Sequence, residues 1–253
     1  MLFTGILFLV IPVFAQENVV YEDDVPILLR KEASAGVTFH TGGMGIIFRR
    51  GMHVTGTRKR MWETEAVTMR HPKEHKTHYY DESKPFVYGK LNYLLLLRSG
   101  IGYQNVLYRK GDRKGVEIRS HYMAGFSAGI TKPVYLYIIQ SNHGAPNELP
   151  PKEVEQYNPE KHQLSDIYGK AEFSYGLDKL GLHPGGYAKA AFSFEYGKSD
   201  NNIRSVEVGA SLDLFPKAIP LMAYPLKNSI INYHQNKPYY VSLYLSFFMG
   251  GKW

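Results

Sequence analysis

The last thirteen residues of the chain alternate between two kinds of side chain. The odd positions carry Val241, Leu243, Leu245, Phe247, Met249, Gly251 and Trp253, and the even positions between them carry Ser242, Tyr244, Ser246, Phe248, Gly250 and Lys252. Because successive side chains of an extended chain point to opposite faces, this period of two gives one apolar face and one mostly small or polar face. The segment therefore predicts a long β-strand.

The same period recurs along the rest of the chain. It is clear in residues 116–130, 186–196 and 205–214, and weaker in residues 35–41, 44–50, 60–69 and 86–108. The connectors alternate in length, with short ones at residues 51–57, 109–115 and 197–202 and long ones at residues 71–85, 132–184 and 215–237. A tight turn at Gly42-Gly43 separates the first two strands.

Strand length and connector length together indicate a membrane barrel. A strand needs about 9–11 residues to cross a bilayer at a tilt, and short turns at one rim with long loops at the other are typical of outer-membrane barrels. We therefore predict an all-β fold, an antiparallel eight-stranded transmembrane β-barrel with short periplasmic turns and long extracellular loops. Ten strands are the alternative, if residues 134–140 and 167–175 also join the barrel, and a soluble sandwich is the competing architecture.

The N-terminal segment predicts export. Residues 1–15 are apolar but too short to span a bilayer, and they end in Val13-Phe14-Ala15 before the polar Gln16, which is typical of a signal-peptidase site. No Lys or Arg precedes the apolar stretch, so a buried strand or an anchor is the alternative. We predict a signal peptide at 1–15, an N-terminal periplasmic arm at 16–32 and an outer-membrane β-barrel at 33–253. The absence of cysteine excludes disulfides, thiolate metal sites and a lipid-modified N-terminal cysteine.

The end of the chain resembles a known signal. A final alternating strand that ends on an aromatic residue is similar to the sorting signal of bacterial outer-membrane barrels, and Phe247, Met249 and Trp253 would carry it. Residues 88–92, 115–118 and 131–135 also resemble a group of small outer-membrane barrels that includes an accessory barrel of the outer-membrane protein assembly (Bam) machinery. The resemblance implies location in the outer membrane of a diderm bacterium, and partners among outer-membrane lipids and other outer-membrane or periplasmic proteins.

Charged residues fall on the predicted inward face of the barrel. An eight-stranded barrel is just wide enough for side chains to fill it, and unpaired charges buried there are costly. We therefore predict that the inward charges pair across the strands as a plug, with a conduction path or a proton-accepting site as the alternative. The predicted members are Glu63, Glu65, Lys90, Glu117, Arg119, Lys189, Glu195, Glu207 and Asp213.

Basic residues concentrate at the short-turn rim. The predicted set is Arg49, Arg50, Arg58, Lys59, Arg60, Arg109, Lys110, Arg113, Lys114, Lys198, Arg204 and Lys252, against only Asp112 and Asp200. Such a rim fits either a girdle for anionic lipid headgroups or a docking face for an acidic periplasmic partner. Nucleic acid is not a predicted partner despite the net charge of +7, because an exported barrel does not meet it.

Residues with catalytic or metal-binding chemistry lack a convincing context. Ser127 lies in a Gly-x-Ser-x-Gly motif, but inside an alternating strand instead of a strand-to-helix turn. His121 and Glu117 share a strand face about 13 Å apart, too far for direct contact. The three histidines of the 71–78 loop, near Asp81 and Glu82, have no zinc-like spacing. We predict no enzyme, cofactor or metal site, and a structural or accessory subunit of a larger envelope complex. The alternatives are a lipid-modifying barrel enzyme and a narrow channel.

Overall fold

A closed barrel of eight antiparallel strands forms the body of the protein. The computed structural model describes residues 31–80, 83–110, 115–139, 152–196, 201–225, 231–232 and 236–253. Each strand is hydrogen-bonded to the next in chain order, and the last pairs with the first. The strands are β1 (Lys31–His40), β2 (Gly43–His53), β3 (Arg58–Met69), β4 (Asn92–Tyr108), β5 (Glu117–Pro133), β6 (Gly181–Glu195), β7 (Asn202–Leu214) and β8 (Tyr239–Lys252).

The prediction of eight barrel strands is confirmed, and the ten-stranded alternative is wrong. Both extra segments do contain strands, Tyr135–Ile139 and Ile167–Lys170, but these form a separate three-stranded sheet, in which Tyr135–Ile139 pairs with Ile167–Lys170 on one side and with Lys152–Gln156 on the other. They are absent from the barrel because β5 already bonds directly to β6 over fifteen residue pairs. The alternation of residues in these two segments therefore predicted strands correctly, but it did not indicate which sheet the strands belong to.

Short elements decorate the connections. Lys76–Thr77 pairs with Phe86–Val87, so the strand predicted over residues 86–108 begins only at Asn92. Tyr224–Pro225 pairs with Ile231–Asn232, and Leu164–Asp166 forms one 3₁₀ turn. No helix among the residues described above is long and apolar enough to cross a membrane.

The two ends of the barrel differ. The strand ends that border the short connections 54–57, 109–116 and 196–201 lie at the same end as Lys31 and Lys252, which we call the turn end. The strand ends that border the long connections 70–91, 134–180 and 215–238 lie at the opposite end, the loop end, together with the short β1–β2 turn. The predicted signal peptide and most of the predicted arm lie outside the described residues. β1 begins at Lys31, two residues before the predicted start of the barrel, because its pairing with β8 extends to Glu32 and Lys252.

The outer face of the barrel is apolar. On β8, Leu243 is 64% exposed and Met249 is 72% exposed, whereas Ser242 and Ser246 on the opposite face of the strand point inside and are buried. On β5, Phe126 is 83% exposed. The alternation therefore points the large apolar side chains away from the barrel interior, the reverse of a soluble sandwich core.

The loop end of the interior is apolar as well. Residues 215–222 of the β7–β8 connection fold into the barrel mouth and pack against inward side chains of β3 and β4. This mouth cluster consists of Val67, Met69, Leu94, Leu96, Phe215, Ile219, Leu221 and Met222. A second apolar cluster lies in the loops, where the three-stranded sheet packs on Phe86 and its neighbours. We call that sheet and the 76–87 hairpin the loop module.

Candidate functional site

The middle of the barrel holds a network of buried ion pairs. Arg49 on β2 donates from Nε to Oε2 of Glu63 on the adjacent β3 at 2.6 Å. Its Nη1 and Nη2 reach Oε2 and Oε1 of Glu207 on β7, at 2.8 and 3.0 Å. The hydroxyl of Tyr244 on β8 donates to Oε1 of the same carboxylate at 2.8 Å. The guanidinium group thus ties two sides of the barrel wall together.

The network continues toward the loop end. Lys189 on β6 pairs with Glu63 at 2.8 Å and also with Glu65. Arg98 on β4 donates from Nη1 to Glu65 at 2.9 Å, and from Nε and Nη2 to the two carboxylate oxygens of Asp213 at 2.9 and 2.6 Å. All of these side chains are at most 4% exposed. Because bidentate Arg–carboxylate pairs satisfy several donors at once, they are the geometry in which buried charges are tolerated best.

The central network carries more acids than bases. Its cations are Arg49, Arg98 and Lys189, and its anions are Glu63, Glu65, Glu207 and Asp213. His121 on β5 is 1% exposed, and its Nδ1 lies 3.5 Å from Oε2 of Glu207. The set thus contains four carboxylates and three cations.

A second group of ion pairs closes the turn end. Lys59 on β3 pairs with Glu32 on β1 at 2.5 Å. Arg119 on β5 pairs with Glu195 on β6 at 2.6 Å and with Glu117 on its own strand at 2.5 Å. Lys252, next to the chain terminus, also pairs with Glu195, at 2.6 Å. Salt bridges therefore occupy the middle and the turn end of the interior, together with a buried apolar group of Met61, Met123 and Tyr187, and the mouth cluster occupies the loop end.

Most of the acids predicted for the plug point inside the barrel. Two predicted members sit elsewhere than expected. Lys90 precedes β4 and lies in a loop, where it pairs with Glu74 at 2.5 Å, because β4 begins at Asn92 and not at residue 86 as its period suggested. Glu117 lies at the turn-end edge and its side chain is 18% exposed. The members that lie in the interior are Glu63, Glu65, Arg119, Lys189, Glu195, Glu207 and Asp213.

Sequence reasoning missed three cations of the interior. The assignment of Arg49 and Lys59 to the basic rim is wrong, because β2 continues to His53 and β3 starts at Arg58, so both side chains fall on the inward face. Arg98 follows the run Leu94–Leu97, in which both faces are apolar and the period is hidden. The alternation along β2 could have placed Arg49 inside. Arg49 shares its face with the inward Ile47 and Gly51, whereas the other face carries the exposed apolar residues Ile46, Phe48 and Met52.

The remaining predicted rim residues are mostly exposed. Arg50, Arg58, Arg60, Arg109 and Arg204 are exposed, Lys110 is partly buried and lies 3.8 Å from Glu195, and Arg113, Lys114 and Lys198 lie outside the described residues. Arg58 places its guanidinium group 3.9 Å from the ring centre of Tyr103 and donates to the hydroxyl of Tyr122 at 3.0 Å. A cation stacked on outward tyrosines is a common arrangement where a membrane meets water.

The Ser127 motif has a structural environment. Ser127 is 2% exposed inside the barrel, and its hydroxyl donates to Oδ1 of Asp213 at 3.1 Å. β5 continues through the motif without the turn that a nucleophile elbow requires. His121 is six residues away on the same strand face, which corresponds to about 20 Å. The geometry therefore brings no base to this hydroxyl along β5.

The histidine loop brings together no evident metal site. Nδ1 of His71 accepts a hydrogen bond from the backbone N–H of Lys73 at 3.2 Å. Asp81 and Glu82 lie outside the described residues. Among the described residues, no group of three or more histidines, aspartates or glutamates is arranged to hold a metal ion.

The residues of the predicted sorting signal share the outer face of β8. Phe247 is 41% exposed and Met249 72%, and Trp253 follows the end of the strand with 53% exposure. The inward neighbour Phe248 is buried, with the guanidinium carbon of Arg49 4.1 Å from its ring centre.

No protein-family model matches the chain, and no curated protein matches it. Several solved structures are similar to it. One is Ail, the attachment invasion locus protein of Yersinia pestis, with 6% sequence identity and a TM-score of 0.37, covering 88% of this chain and 97% of that one. Neisserial surface protein A has 9% identity, a TM-score of 0.38 and coverages of 89% and 97%. The N-terminal β-barrel domain of Pseudomonas aeruginosa OprF has 10% identity, a TM-score of 0.36 and coverages of 89% and 98%.

Proposed function

We propose that this protein is an integral outer-membrane β-barrel of a diderm bacterium, which acts without catalysis as a structural or accessory subunit of a larger envelope complex. The observation that carries the proposal is the combination of an apolar outer face with an interior filled by paired charges and a packed mouth. A barrel that neither conducts nor reacts inside must act through its surfaces.

The apolar outer face supports a membrane environment. Leu243, Phe126 and Met249 are each more than 60% exposed, and the strands that carry them are 14 and 17 residues long. Exposed apolar surface of this extent is rare on a soluble monomer. A bilayer would cover it at a gain of roughly 25 cal/mol per Å² of apolar surface.

The filled interior argues against a channel. Arg49 and Arg98 each bond two acidic side chains, so neither guanidinium group is free to line a water path. Beyond them, Ile219 and Leu221 of the mouth cluster are at most 1% exposed. Ion passage would require both layers to open.

Two surfaces remain for partners. The loop module projects from the loop end, and the turn end carries exposed Arg50, Arg60 and Arg204. A basic rim can steer and orient an acidic partner by electrostatic complementarity. Membership in the outer-membrane protein assembly machinery is the specific form of this proposal, and it rests on the sequence resemblance alone.

The test is crosslinking and gentle detergent extraction of the tagged protein from native membranes, followed by quantitative mass spectrometry. We expect stoichiometric recovery of defined outer-membrane or periplasmic proteins, confirmed by reciprocal purification through a tag on each one. R50E/R60E should lower the recovery of a periplasmic partner. K152E/K161E, in the long β5–β6 connection, serves as the matched charge reversal at the other end. Recovery of the barrel alone after crosslinking, in wild type and variants alike, would refute the subunit role.

A further inference from the structure

A cavity of about 570 Å³ opens at the loop end, outside the ion-pair network. It lies beside the short β1–β2 turn, between the start of the β3–β4 loop and the first residues of β8. Its basic lining residues are Arg70, His71, Lys73 and Lys237, and its apolar ones include Tyr239 and Val241. Arg70 and Lys237 are exposed, so their side chains can be reached by a ligand from outside.

The lining is electropositive. No described residue that lines the cavity is a carboxylate. Glu74 follows on the same loop, but its Oε1 accepts the backbone N–H of His71 at 3.0 Å and its Oε2 binds Lys90 at 2.5 Å. Burial lowers the pKa of His71, and the charges of Lys73 and Lys237 lower it further against the opposing effect of Glu74. The site therefore favours an anion.

The same cavity borders the apolar outer face. Tyr239 and Val241 are exposed on the outward side of β8, at 43% and 64%. The backbone N–H of Thr41 bonds the carbonyl of Leu243 at 3.0 Å, which joins the cavity wall to the apolar surface of β8. The β1–β2 connection on this side of the cavity is a tight turn of two residues. A ligand with an anionic headgroup and an apolar tail would therefore find a basic cavity for the headgroup directly beside an apolar surface for the tail.

We propose that this cavity binds the phosphorylated headgroup of an outer-leaflet membrane lipid, whose acyl chains lie along β8 and β1. The basic side chains contact the phosphate, and Tyr239 and Val241 contact the start of the chains. A lipid bound at this position would pack against the loop end beside the short β1–β2 turn. This inference rests on the membrane placement proposed above.

The test is native mass spectrometry of the detergent-purified protein with bisphosphorylated lipid A, with the same lipid after removal of its phosphates, and with inorganic phosphate as competitor. We expect one bisphosphorylated lipid retained per barrel and little retention of the dephosphorylated form. R70Q/K237Q should weaken retention by roughly 25-fold, since each cation near a headgroup contributes about fivefold. K152Q, which removes an exposed lysine of the loop module stacked on Tyr168, is the matched control.

A heat-dependent mobility shift on gels confirms that each variant is folded. Equal lipid retention by wild type and R70Q/K237Q would overturn the proposal. Displacement of the lipid by an equal concentration of inorganic phosphate would also overturn it, because the site would then hold a soluble anion. Failure of the subunit role would appear in the crosslinking experiment and leave lipid retention unchanged, whereas a barrel absent from outer-membrane fractions would remove the basis of both.

Discussion

Arg49 and Glu207 form a bidentate ion pair across the barrel, although β1 and β8 separate their strands in the wall. The two terminal guanidinium nitrogens meet the two carboxylate oxygens at 2.8 and 3.0 Å, and neither side chain exceeds 3% exposure. Because the same guanidinium group also bonds Glu63, a single residue links β2, β3 and β7. The pair therefore fixes the cross-section of the barrel as well as neutralising charge.

Removing Arg49 should destabilise the barrel strongly. R49M keeps the length of the side chain but leaves Glu63 and Glu207 without their shared cation, and breaking a buried pair in this way costs about 3–5 kcal/mol. We expect the loss in the free energy of unfolding, measured by denaturant titration of the protein in lipid vesicles. R49M/E207Q should recover part of it, since the double change removes one of the stranded charges. An R49M barrel as stable as wild type would mean that the network contributes nothing to stability.

Arg119 tests whether the interior is a plug or a path. R119L removes the cation shared by Glu195 and Glu117, so we expect a lower unfolding temperature. Planar-bilayer recordings should show no ion conductance for wild type and no new conductance for R119L, because the central network and the mouth cluster still close the interior. If conductance changes while the unfolding temperature stays constant, the plug interpretation fails.

A charged residue near the midpoint of the outer face should destabilise the barrel in a membrane. L245R places an arginine on the outward side of β8, where a membrane-spanning strand loses about 2–4 kcal/mol for a basic residue at the bilayer midplane. We expect a lower folded fraction in vesicles, measured by heat-dependent gel mobility. L164R makes the same change at an exposed leucine of the 3₁₀ turn Leu164–Asp166, outside the barrel, and should be tolerated. Equal tolerance of both variants would show that β8 does not face lipid.

The two adjacent phenylalanines of β8 should have separable effects. F248A removes a buried ring that packs against Arg49, and large-to-small changes of this kind cost about 3–5 kcal/mol. F247A changes the outward side chain assigned to the sorting signal, so we expect fewer barrels assembled in cells but a smaller loss of stability after refolding of the purified protein. Pulse-labelled assembly and denaturant titration measure the two quantities. Similar assembly rates for F247A and wild type would contradict the sorting assignment.

Period and connector length predicted the barrel because they are local properties. The alternation within a strand such as β8 shows which of its residues face outward. The contrast between short and long connections indicates the number of strands, and neither requires knowing which strands are neighbours in the barrel. The pattern weakens at Leu94–Leu97, where the loop that fills the mouth makes the inward face as apolar as the outward one. Arg98 was missed for that reason, and its pairing with Asp213 could not be inferred from either segment.

Pairing across the interior depends on how far neighbouring strands are displaced along one another. A shift of one residue would turn Arg49 outward and Arg50 inward, and two adjacent arginines near a strand end look alike in the sequence. The acids were easier to assign because Glu63, Glu207 and Asp213 each occupy the polar face of a segment whose period of two is visible in the sequence. Which acid pairs with which base depends on how the strands are arranged in the closed barrel. The spacing of the acids and bases in the sequence does not determine it.

The seam between β1 and β8 joins strands that stand about two hundred residues apart in the chain. Until β8 is in place, β1 and β7 both present open backbone edges, and β2 and β7 are not held across the interior at the distance that Arg49 and Glu207 span. Sealing the wall and neutralising the buried charges are therefore one event in folding. A chain interrupted before residue 239 would enter the membrane with unmet hydrogen bonds and unpaired charges at once, which makes it a ready substrate for proteolysis instead of a smaller barrel.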